Sequence, residues 1–167
     1  MSLGFLSPSR CDPETLTSPL RRALGRADSA DVRDLSLEGV VELRGDLDRV
    51  PTLASEELVR LSPRRGFLFT GEDPARVVER ARAAGVLAYD ASGALAGMAI
   101  ASEQVLRRLT DLDLEQLPAA GPFARVTALF RRGDDGAYLV YVQQELGHYA
   151  AEAVVDALAG LEQSEWR

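Results

Sequence analysis

VLAYDASGALAGMAIASEQVLRRLTDLDLEQLPAAGPFARVTALFRR, residues 86–132, is the stretch on which the fold turns. VLAYD (86–90) predicts a strand. The following segment, 91–101, is too small and too uncharged for a surface loop and fits a buried strand, in which Gly93 and Gly97 allow close backbone approach. Ser102 is placed to cap a short helix with Glu103 in its first turn, where a carboxylate favours the helix dipole, and with Val105, Leu106 and Leu109 facing inward. TDLDLEQLPAAGP (110–122) predicts a loop anchored by Leu112, Leu114 and Leu117, before another strand at 126–131. Strand, strand, helix, long turn, strand is an α+β order, and no catalytic motif lies within it.

Upstream, residues 1–17 are rich in Ser, Pro, Thr and Asp without a sustained period, which predicts an irregular N-terminal arm. The rest, 18–167, reads as a single α+β domain. Ser18-Pro19 offers a cap and a first-position proline for a short helix that stops at Gly25. Residues 32–44 alternate around Gly39, which predicts one bent strand or a strand pair with a bulge. Leu58, Val59 and Leu61, the turn 62–66 and the run 67–70 predict two strands around a turn. Asp73 and Pro74 cap a helix over 74–84 with Val77, Val78 and Ala81 as its apolar stripe and Gly85 as its stop. Residues 66–90 thus form a strand-helix-strand unit. Downstream, Gly133-Asp134-Asp135-Gly136 predicts a hairpin between 126–131 and 138–142. A final helix places Leu146, Tyr149, Ala150, Ala153, Val154, Ala157, Leu158 and Leu161 on one stripe, with His148 off it.

Composition excludes more than it suggests. At 167 residues, 46% hydrophobic and 27% charged, the chain suits one domain that buries roughly two-thirds of its unfolded surface. A net charge of -7 opposes binding to nucleic acid or other polyanions. All 19 basic residues are arginine, so Schiff-base chemistry, a pyridoxal phosphate anchor and a P-loop lysine are impossible. One cysteine, Cys11, and one histidine, His148, provide neither an internal disulfide nor a four-ligand Cys/His zinc cluster. Cys11 reads as a free thiol, and with no apolar run of about 20 residues a cytoplasmic location is expected.

Three further groupings invite a functional reading. Gly93-x-x-x-Gly97 lacks the third glycine and the later acidic residue of a dinucleotide fingerprint. Asp111, Asp113 and Glu115 lack the glycine and terminal bidentate glutamate of a calcium loop, and a solvated face accounts for them. His148 has no acidic or nucleophilic neighbour fixed by local spacing and reads as a surface residue. No catalytic, cofactor-binding or metal-ligating residue is therefore nominated.

Several longer segments, TSPLRRAL, VELRGD, LSPRRGFLFTGE, DASGALAGMAIASEQVLRRLTDLDLEQLP and ARVTALFRRGDDGAYLVYVQQELGHYAAEAVVDAL, occur in an order that resembles the gamma subunit of heterotetrameric sarcosine oxidase. The wider family is that of the glycine-cleavage aminomethyltransferases and folate-binding proteins. This resemblance implies an α+β fold with ferredoxin-like strand-helix-strand units in a mixed, mainly antiparallel sheet. It also implies that flavin and folate belong to larger partner subunits rather than to this domain. Two departures stand out. The glycine-rich segment with which full-length folate-binding relatives meet folate has no counterpart here, and the region 46–62 is short for a gamma subunit, as if lacking a helix.

The expected role is a non-catalytic, gamma-type subunit or orphan relative that packs against larger subunits of an amine oxidase-type complex through an open apolar face. A small folate-binding one-carbon transfer protein is the alternative. That reading needs an apolar pocket with a converging acid, for which Asp90 and Asp111 are the candidates. A self-associating structural domain, a homo-oligomer, is the third.

Overall fold

The computed structural model describes residues 18–27, 30–36 and 38–162. The arm expected over 1–17, Cys11 included, lies outside the described residues. Ser18 Oγ accepts the Leu20 amide at 3.1 Å as the chain enters α1 (Arg21–Leu24), whose Ala23 is buried. β1 (Val32–Asp34) and β2 (Gly39–Arg44) follow. These are neither one bent strand nor a bulged pair, because they belong to different sheets. After Leu35, whose amide still bonds Gly97 O at 2.8 Å, the chain crosses from one sheet to the other.

A 3-10 turn (Leu47–Arg49) leads to β3 (Glu57–Ser62) and β4 (Arg65–Thr70), the expected hairpin, with a register shift between Arg60 and Ser62. The region 46–62 thus contains a 3-10 turn and no α-helix. Asp73 accepts the Ala75 amide and opens α2 (Pro74–Ala83), and Gly85, at φ +79°, reverses the chain into β5 (Leu87–Asp90). β4 and β5 flank β2 and both run antiparallel to it, so they run parallel to each other as a split strand-helix-strand unit. Residues 91–94 form a second crossing between sheets rather than the start of a strand. β6 (Leu95–Ile100), α3 (Glu103–Arg107), β7 (Ala119–Phe123), β8 (Val126–Arg132), β9 (Tyr138–Gln143) and α4 (Gly147–Glu162) complete the chain.

β7 was expected as loop. Its sequence AAGPF has no β-branched residue, and Pro122 cannot donate a ladder bond. The strand persists because it lies at a sheet edge, where a missing donor faces outward. The fold is α+β with two antiparallel sheets, ordered β3-β4-β2-β5 and β1-β6-β9-β8-β7.

Period-2 alternation sorts each strand between two cores. In β2, Val41 and Leu43 pack with Val77 and Ala81 of α2, whereas Val40 joins Phe69 and Val59 between the sheets. In β9, Val140 and Val142 pack under Ala150, Ala151 and Val154 of α4, while Tyr141 points between the sheets. The layers therefore run α2, four-stranded sheet, five-stranded sheet, then α1, α3 and α4. The stripe on α4 is centred on Ala150, Ala151, Val154 and Ala157; Tyr149, expected within it, is 49% exposed and donates its hydroxyl to Ala124 O at 2.7 Å.

Gly97 faces Tyr141 across the β6–β9 pair, and a Cβ there would lie 2.5 Å from Tyr141 Cε1. The phenol ring lies over the missing side chain, which is the close approach expected here. Gly93 has no such neighbour within 4 Å, so only one of the two glycines is needed for packing.

Candidate functional site

The two facing sheets enclose a closed end and an open end. At the closed end Arg131, an inward position of β8, donates from Nε to Glu57 Oε2 at 2.6 Å and from Nη1 to Glu38 Oε1 at 2.9 Å. Its guanidinium lies 4.3 Å over the Phe69 ring, and the Phe69 and Tyr141 ring centroids are 4.5 Å apart. The Tyr141 hydroxyl donates to Glu38 Oε2, and Arg131 Nη1 is 3.3 Å from that hydroxyl. Burial, then the bond to Glu38, pushes the Tyr141 phenol far above its ordinary range, so it remains a donor. Burial opposes the charge of Arg131, but the bonds to Glu57 and Glu38 outweigh it and raise its affinity for the proton. One cation is thus shared by two carboxylates, with every group near it engaged.

At the open end residues of both sheets line a cleft of ≈ 690 Å³. Leu61 and Phe67 from one sheet and Leu95, Val126 and Leu129 from the other form apolar walls; Arg65, Ser62, Thr127, Gln143 and Tyr141 supply the polar groups. The volume is in the range of small-molecule pockets. Among the described residues, no carboxylate, histidine or cysteine lines it. Past the cleft, no described element covers the inner face of the four-stranded sheet. Pairing places Arg65, Arg44 and Leu87 in one cross-strand row and Phe67, Glu42 and Tyr89 in the next. Arg44 Nε and Arg65 Nε both donate to Glu42 Oε1, at 2.8 and 2.7 Å. Burial raises the proton affinity of Glu42, but the bonds from Arg44 and Arg65 prevail and hold its carboxyl below its usual value. Leu87 and Tyr89 are 60% and 47% exposed.

Among the described residues, the other large exposed apolar side chains, Leu53 and Tyr149, lie on separate elements. Open apolar surface is thus concentrated on β5 rather than spread across a broad face. Arg131 follows ALF at an inward position where Leu129 leads one to expect an apolar residue, and that is a local signal for the closed end. Glu42 and Arg44 alternate with Val41 and Leu43 as an ordinary polar face and give no such signal.

The structure does not bring Asp90 and Asp111 together. Asp90 accepts from the Ser92 amide and hydroxyl, at 3.0 and 2.7 Å, where the chain leaves β5. Asp111 lies by Thr110 and Tyr149 in a different depression, and neither aspartate lines the large cleft. Asp113 is used within its own loop, accepting from the Glu115 amide and from Gln116. His148 is on the surface as expected, but it does have an acidic neighbour at helical spacing: its Nε2 lies 3.5 Å from Oε1 of Glu152, one turn on, and Arg26 also reaches Glu152. Among the described residues no group of three or more His, Cys, Asp or Glu could hold a metal ion, and no helix is long and apolar enough to cross a membrane.

No protein-family model matches the sequence, and no curated protein matches it either. Among solved structures, a chain of the heterotetrameric sarcosine oxidase from Corynebacterium sp. U-96, in complex with pyrrole 2-carboxylate, is similar with a TM-score of 0.72 at 13% identity. The match covers 87% of this chain and 95% of that one, so the shared fold is that of a sarcosine oxidase subunit over nearly its whole length.

Proposed function

We propose that this chain is a non-catalytic, gamma-type subunit, or an orphan relative of one, in a cytoplasmic assembly of the heterotetrameric sarcosine oxidase kind. Residues 18–167 act as one domain that packs against larger subunits, and those subunits carry the flavin and folate chemistry. The observation supporting this reading is the two-way coverage: almost all of this chain corresponds to almost all of one chain of a multisubunit enzyme. The cleft is compatible with it: among the described residues its polar groups are Arg65, Ser62, Thr127, Gln143 and Tyr141, whose phenol is pushed far above its ordinary range.

The test is capture of the tagged full chain from lysate of its native host at moderate salt. Recovery of a flavin-containing amine oxidase subunit in stoichiometric amount is expected. Recovery of this chain alone, with sedimentation that changes on dilution, would replace the reading with a self-associating domain.

A folate-binding one-carbon transfer protein is favoured by one observation, the size of the cleft. Against it, no carboxylate among the described residues lines the cleft wall. Saturable folate binding that survives Asp90→Ala and Asp111→Ala but is lost in Arg65→Ala would move the assignment to this second reading.

A further inference from the structure

The uncovered row of the four-stranded sheet has an excess of positive charge on a protein of net charge -7. Arg44 and Arg65 share one oxygen of Glu42 through their Nε atoms, and among the described residues no ion pair or hydrogen bond engages their Nη atoms. Both side chains are about half exposed, at 52% and 46%, against 15% for Glu42. A guanidinium whose Nη edge is free is a fork for a further carboxylate. Leu87 and Tyr89 stand beside this pair on the same face, and Arg65 continues the row into the apolar cleft.

The neighbouring strand edge is not equally available. β5 ends its sheet, but Arg82 reaches over from α2 and donates to Ala88 O at 2.9 Å, occupying a carbonyl that an added strand would need. A partner therefore meets the face and not the edge. A second copy docked face to face about a two-fold axis would oppose four guanidiniums with two carboxylates, so charge disfavours that occupant.

We infer that the face formed by Arg44, Arg65, Leu87 and Tyr89 is the docking surface for a protein partner whose contacting segment carries a carboxylate flanked by apolar side chains, the carboxylate bridging the two arginines. The inference rests on the subunit reading for the partner being a protein, and it supplies that reading with a surface.

Two measurements separate the two. The first uses the full chain and a fluorescein-labelled heptapeptide with two glutamates among leucine and phenylalanine, against its glutamine counterpart, followed by anisotropy at low salt. Saturable binding of the glutamate peptide is expected. It should weaken by about tenfold or more for the glutamine peptide, for Arg44→Gln/Arg65→Gln and for Leu87→Ser/Tyr89→Ser, but not for Leu53→Ser in the loop before β3. No binding, or equal binding of the two peptides, overturns the inference. The second repeats the lysate capture with Arg44→Gln/Arg65→Gln. Undiminished recovery of amine oxidase subunits by this variant leaves the subunit reading standing and sinks the docking face. Arginine-dependent peptide binding without recovery of any such subunit does the reverse.

Discussion

The two ends of the inter-sheet space use the same residue types in opposite ratio. At the closed end one arginine, Arg131, serves two glutamates, with Tyr141 and Phe69 completing its shell. At the open end two arginines, Arg44 and Arg65, serve one glutamate and leave their outer edges free. Burial explains the difference. The Arg131 side chain is 13% exposed, and a desolvated cation is tolerable only when its donors are matched. Half-exposed guanidiniums keep their water and tolerate the surplus. The closed end can therefore act as a fastener between sheets, while the open end retains binding capacity.

The largest test of this contrast is Arg131→Met, which strands Glu38 and Glu57 in a partly dry interface. Partial exposure of both glutamates softens the penalty, and a loss of about 2–4 kcal/mol in urea unfolding is expected. A change below about 0.5 kcal/mol would mean that the network does not fasten the sheets. Gly97→Ala should follow at about 1–3 kcal/mol, since its methyl would meet the Tyr141 ring. Gly93→Ala, with open space around it, is the matched control and should be near neutral. A similar loss at both positions would place the cost in backbone conformation rather than in contact with the ring.

Tyr141→Phe removes one donor to Glu38 while keeping the ring, and about 1–2 kcal/mol is expected by thermal or urea unfolding. At the open end, Arg44→Gln/Arg65→Gln should leave the urea midpoint close to that of the wild type while weakening peptide binding by about tenfold or more. A loss matching that of Arg131→Met would erase the distinction between the ends. The smallest effect is in pH dependence. The Glu42 carboxyl is held below its usual 4.5, so its contribution is complete at about pH 5 and above and is lost as pH falls through the lower folded value. Wild type should accordingly lose its margin over Glu42→Gln on acidification; a constant difference from pH 6 to about pH 3 would show that Glu42 is not linked to stability.

Local signals in the sequence correspond to local facts in the structure. Asp73-Pro74 opens α2, Ser102 accepts the Val105 amide at the start of α3, and the GDDG turn joins β8 to β9. Each of these depends on residues within a few positions of one another. β7 escaped because its stability comes from pairing with β8 and not from its own residues, and 91–101 read as one strand because apolarity alone does not mark where a chain changes sheet. The candidate surface was the least legible part. Arg44 and Arg65 are 21 positions apart and meet only through strand register at Glu42.

By itself, then, the sequence determined the α+β class, the caps and turns, and the mechanisms closed to a chain without lysine. It did so because capping, turn chemistry and side-chain inventory act at short range or through presence alone. Only the tertiary structure decided the division into two sheets, the fastening of Arg131 between them and the excess charge left at the open end. Those follow from which strands pair and how far the sheets cover each other, and both are set by contacts between residues far apart in the chain.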